Sequence, residues 1–166
     1  MNALLAIGQH LQAGQCRPFT SDTAVRIAPD QVRYPDLGID CGTFRGDSFE
    51  ADAPHLVVEV LSDSTRAFDF VGKLEEYKSV ATLRHIVLVD SEEAKIIHWT
   101  YAEGGAWAFR THEGLGSVPE LADPGITLPV AVLYAGVSFR PRPRLMPGDT
   151  VSTGEPPNAR GMPSSE

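Results

Sequence analysis

Leu56-Val57-Val58-Glu59-Val60-Leu61 is the stretch on which the fold turns. Its valines are β-branched, stiff at χ1 and suited to a pleated strand. The run is apolar at odd and even positions alike. That predicts a central strand covered on both faces. One acid interrupts it. An ionised carboxylate buried without a partner carries a large desolvation cost. Glu59 is therefore expected to be protonated, paired with a base, or bound to a metal.

Downstream, Ser62, Ser64 and Asp69 offer helix caps. A helix is predicted over about 69–80, with Phe70, Leu74, Tyr77 and Ala81 as its apolar stripe. Residues 85–89, His-Ile-Val-Leu-Val, predict a second buried strand. Segments 95–101 and 106–112 read as a meander of outer strands, and 129–136 as a last small element. Upstream, Leu4, Ile7 and Leu11 fall at helical spacing over 3–12, with Gly14 as a stop. Asp22 to Ile27 alternates as a strand, and so does Pro35 to Cys41, with Leu37 and Ile39 on one face. Residues 43–54 are polar and carry a Gly46-Asp47 turn signal, so they read as a loop.

A second acid, Asp36, sits directly after Pro35 at the head of the 35–41 strand. Twenty-three residues separate it from Glu59, enough for two strands to lie side by side. Two carboxylates at matching depth on adjacent strands make an oxygen site suited to Mg²⁺ or Mn²⁺. The backbone carbonyl of Val60 is a natural further donor. A metal so held polarises a phosphoryl oxygen and helps form hydroxide near neutral pH. Lys73, one position from the buried stripe of the predicted helix, is placed to orient the attacking water. Blander readings stand beside these: Glu59 as a paired core acid, Asp36 as a turn residue, and Lys73 as an i, i+3 partner of Glu76.

The 166 residues suffice for one domain with a core. A net charge of −8 argues against a protein that coats nucleic acid with a broad basic surface. It leaves room for a local basic site. Cys16 and Cys41 lack CxxC spacing and read as free thiols in a reducing compartment, with a disulfide or ligand role as the alternative. No apolar run is long enough to cross a bilayer and no leader pattern is evident, which points to the cytoplasm. From Pro141 the composition turns to proline with few large apolar groups, predicting a disordered tail over 141–166. Arg140, Arg142 and Arg144 read as a solvated linker or a basic clamp on nucleic acid. The five histidines show no HxxxH or HExxH spacing. Trp99, Tyr101 and Trp107 read as packing or surface residues of the outer strands, with base stacking as the alternative.

The order Tyr34-Pro35-Asp36, Val58-Glu59-Val60-Leu61-Ser62, Ser64-Thr65, Asp69, Lys73, Tyr77, then Leu88-Val89-Asp90 closely resembles the Uma-two family of the PD-(D/E)XK nuclease superfamily. The likeness runs from about residue 3 to 138. It implies an α/β fold with a restriction-endonuclease-like core, a mixed central sheet flanked by helices, over residues 1–140. It also implies a longer N-terminal region than this sequence carries. By the resemblance, Asp36 and Glu59 are the two acids of a Mg²⁺- or Mn²⁺-dependent endonuclease acting on DNA. Leu61 stands where the superfamily's usual lysine falls, and Lys73 on the following helix takes that part. Asp22 is a candidate outer participant. A homodimer is expected if both strands of a duplex are cut, since one such site handles one strand. The rival functions are a catalytically weak nuclease fold serving as a binding or dimerisation module, and a scaffold in which Glu59 and Lys73 form a buried pair.

Overall fold

The computed structural model describes residues 2–9, 11, 16–43, 45–62 and 69–139, with the side chains of Asn2, Asp69 and Phe70 outside the description. The expected tail, the arginines of 140–144, and the Ser64 and Thr65 positions fall outside the described residues. The observed order is α1 (Asn2–Gly8), β1 (Arg17–Thr20), β2 (Val25–Ala28), β3 (Gln31–Arg33), β4 (Leu37–Asp40), β5 (Pro54–Leu61), α2 (Asp69–Lys78), β6 (His85–Asp90), β7 (Lys95–Tyr101), β8 (Trp107–Glu113), β9 (Glu120–Leu121), β10 (Ile126–Thr127) and α3 (Val130–Leu133).

Six strands form one mixed sheet in the order β1-β4-β5-β6-β7-β8. The β5–β6 pair is parallel, and the segment between them carries α2, because parallel neighbours need a crossover. The other pairs of this sheet are antiparallel. Two hairpins, β2–β3 and β9–β10, stand apart from it. The Leu56–Leu61 run is central, as its composition predicts, and its residues Leu56 to Glu59 are all buried. β1, β3 and the β9–β10 hairpin have no counterpart in the sequence reading. Each is only two to four residues long, too short to show a period.

Alternation along the strands splits the core in two. Leu37, Ile39, Leu56, Val58 and Val87 face α1, α3 and the β9–β10 hairpin. Val57, Ile86 and Leu88 face the other way, against Leu74 and Tyr77 of α2 and Val25 of β2. Leu74 and Tyr77 thus keep their predicted places on the buried stripe, whereas Ala81 lies past the helix and is exposed. No helix among the described residues is long and apolar enough to cross a membrane.

The cysteines depart from expectation. Cys16 and Cys41 are joined in a disulfide, not free. They flank Arg17 and Asp40, which are register partners at the end of the β1–β4 ladder and form an ion pair. That pairing brings the two thiols together, and nothing in their sequence spacing shows it. The disulfide also removes the free-thiol argument for a reducing compartment. Asp40 is a second buried acid that the sequence reading passed over. It is satisfied by Arg17 and by the N–H groups of Gly42 at 3.0 Å and Ala53 at 2.8 Å, which close the base of the 43–53 loop.

Candidate active site

β4 and β5 pair with Leu37 opposite Val58, Gly38 opposite Val57 and Ile39 opposite Leu56. Asp36 and Glu59 are the residues next outward from the Leu37–Val58 pair that ends this ladder. The pleat sends Val58 toward α1 and α3, so Glu59, its neighbour, points toward α2. There it is buried at 8% exposure, and Oε1 accepts a hydrogen bond of 2.7 Å from the Tyr77 hydroxyl. Burial, and then the charge of Glu59, holds the Tyr77 hydroxyl protonated, well above the usual phenol range. The charge of Asp36 acts on the same hydroxyl, so both carboxylates belong to one electrostatic neighbourhood.

Asp36 is half-buried, and its Oδ2 accepts a hydrogen bond of 2.7 Å from the backbone N–H of Val60. With Val60, Asp90 and Tyr134 it lines a cleft of about 430 Å³ at the α1–α3 face. Glu59 is not part of that lining. Asp36 is thus bonded to the backbone of the residue after Glu59, while the Glu59 side chain turns to Tyr77 on the α2 face. Asp90 closes the far wall of the cleft from the end of β6 and accepts the backbone N–H of Glu92 at 2.8 Å.

Lys73 lies one helical turn before Tyr77 on α2 and is half-buried. Its charge reaches Glu76. The carboxylate of Glu76 is gripped by Arg33, through Nε at 2.6 Å and Nη2 at 2.8 Å, and by Gln31 Nε2 at 2.7 Å. These bonds, Arg33's first, hold Glu76 below the usual carboxylate range and tie the β2–β3 hairpin to α2. Asp22 is elsewhere: it is exposed and accepts a bond of 2.7 Å from Thr20 Oγ1. Trp99 packs on Phe109 at 4.7 Å between ring centres, joining β7 to β8, and Trp107 Nε1 donates to the Lys78 carbonyl at 3.3 Å, joining β8 to the end of α2.

Residues 2–131 match the family described as "Uma2: Putative restriction endonuclease". The chain belongs to this family. An uncharacterised protein of Synechocystis, slr1290, is 32% identical over 132 residues, covering 78% of this chain and 69% of that protein. A crystal structure from Anabaena variabilis, described as "a putative nuclease belonging to DUF820", superposes with a TM-score of 0.52 at 16% identity. It covers 72% of this chain and 68% of that one. That likeness shows a shared fold.

Restriction-endonuclease-like proteins such as Uma2 generally use divalent metals. Among the described residues, no three His, Cys, Asp or Glu side chains converge as a metal cluster. The donors present still fit Mg²⁺, which is commonly held by one or two carboxylates with water and substrate phosphate filling the other positions. Asp36 and Glu59, each adjoining the paired Leu37 and Val58, are oxygen donors of that hard type. The part of this candidate site that sequence reasoning missed is the Tyr77 hydroxyl. Tyr77 was legible as a core residue on the helix stripe, but a buried phenol must also find a polar partner. The acid inside the neighbouring strand was the signal available.

Proposed function

We propose that this protein is a Mg²⁺- or Mn²⁺-dependent endonuclease that hydrolyses phosphodiester bonds in DNA, with Asp36 and Glu59 as the metal-binding carboxylates. The observation that supports the reading is the bond from the Val60 N–H to Asp36 Oδ2, which ties Asp36 to the backbone of the residue after Glu59. Asp36 and Glu59, with the carbonyl of Val60, would hold the ion, which supplies charge stabilisation and an activated water. Lys73 would orient that water and offset charge developing on the phosphoryl group. The half-buried setting of Lys73, one turn from the Tyr77–Glu59 contact, supports that role. Residues 1–140 are taken as the catalytic domain and 141–166 as a tail outside it. Two copies would serve the two strands of a duplex. A cytoplasmic location suits a DNA substrate.

The alternative is a nuclease-fold protein with little or no catalysis, acting as a binding or dimerisation platform. The net charge of −8, which disfavours a broad DNA-binding surface, favours it. Cleavage of plasmid and single-stranded DNA with Mg²⁺ or Mn²⁺ separates the two. Cleavage that disappears in Glu59→Ala supports the enzyme. Intact DNA at all metal concentrations, with no metal-dependent stabilisation, supports the platform.

A further inference from the structure

We propose that Tyr77 is a positioning residue: its hydroxyl fixes the orientation of the Glu59 carboxylate and so prepares this side chain to bind the metal. The inference rests on the metal-site reading above. Tyr77 is fully buried, and its ring packs among Val25, Val57, Leu83 and Ile86. Phenylalanine would meet the packing need of that position, because the ring alone fills the space. The hydroxyl does something a ring cannot. It donates to Glu59 Oε1 at 2.7 Å, within the short range of a bond to a carboxylate. A glutamate has three rotatable side-chain bonds, and a carboxylate left to turn must be ordered when an ion arrives. One held beforehand avoids that entropy cost. The bond also joins α2 to β5. It fixes the helix that carries Lys73 against the strand that carries Glu59.

The test measures Mn²⁺ binding to the metal-free full chain by electron paramagnetic resonance, with no DNA present. Wild type, Tyr77→Phe, Glu59→Ala and Leu74→Ala are compared. Leu74→Ala loosens the same core cluster without touching Glu59. The expected result is loss of binding in Glu59→Ala, a 10- to 100-fold weaker affinity in Tyr77→Phe, on the order seen for loss of an outer-shell partner, and near wild-type affinity in Leu74→Ala. Binding by Tyr77→Phe at wild-type strength, with Glu59→Ala still defective, would overturn the positioning role and leave the metal site standing. Equal weakening by Leu74→Ala would also overturn it, since loosened packing would then be the cause. Unchanged binding in Glu59→Ala would remove the metal site and this inference with it.

Discussion

The carboxylate of Asp36 accepts the backbone N–H of Val60, two residues beyond Val58, the register partner of its neighbour Leu37. The acid is therefore tied to the β5 backbone and not only to its own strand. Val60 is 48% exposed, so water can replace the lost acceptor in Asp36→Ala. The stability cost is expected to be about 1 kcal/mol or less. DNA cleavage should fall by more than the roughly 10- to 100-fold that an outer-shell loss costs. Urea denaturation beside a plasmid-nicking assay checks both. A variant that keeps wild-type cleavage removes Asp36 from the site.

Acid should destabilise the fold before carboxylates titrate. His85 Nδ1 and His98 Nε2 are 2.9 Å apart, and both rings are buried in the sheet. Burial, then neighbouring positive groups, lowers His98 to about 4. Burial is also the main cause for His85, lowered to about 4 despite the opposing Asp123. Between the ordinary value of 6.5 and these folded values, the unfolded chain binds more protons. The stabilisation is therefore full above that ordinary value and is lost as pH falls toward 4. A loss on the order of 1–3 kcal/mol is expected by about pH 5. Urea midpoints across that range measure it, and His98→Gln should flatten the curve. A midpoint constant over that range in wild type would contradict the assignment.

Reduction should cost stability at the β1–β4 end of the sheet. The Cys16–Cys41 link closes a loop with a sequence separation of 25. The chain-entropy relation gives about 3.5 kcal/mol for that length. Cys41→Ser, or reductant on wild type, should lower Tm by about 10 °C. Identical melting with and without reductant would show that the link contributes nothing in solution.

Gly38 is fixed by an aromatic neighbour. It pairs with Phe19 across β1–β4, and a Cβ built on it would lie 2.1 Å from the Phe19 ring. Gly38→Ala should therefore destabilise by about 1–3 kcal/mol. The double change with Phe19→Leu should cost less than the two single changes added together, since each relieves the other. Strict additivity in denaturation would show that the ring is not what excludes the side chain.

Glu59 was legible because it broke an otherwise apolar run, and β5, β6 and β7 because long runs carry a clear pattern. β7 spans Lys95–Tyr101, the range its sequence predicts. β5 begins two residues earlier than its apolar run, at Pro54, where a register shift sits opposite Asp40. Asp36 was visible as an acid heading a strand. Its bond to Val60 was not, since that depends on register between segments 24 residues apart. The disulfide was hidden for the same reason. The row of His55, His85, His98 and His112 was hidden too, because it runs across four strands and leaves no spacing along the chain.

The two faces of the sheet differ in when the growing chain can complete them. The buried residues of the α2-side cluster run from Phe19 to Leu88, and sheet neighbours from β4 to β8 follow one another in sequence. The opposite cluster needs Ile7 together with Leu128, Val130 and Tyr134, and α1 packs on α3. During synthesis the face that carries Glu59 and Tyr77 can therefore bury its apolar residues while the other still waits for its last helix. Contacts between distant chain segments form slowly because their loop closes at an entropic cost. A nascent chain emerged to about residue 110 would expose every buried residue of the α2-side cluster while the other face still lacks Leu121 to Tyr134.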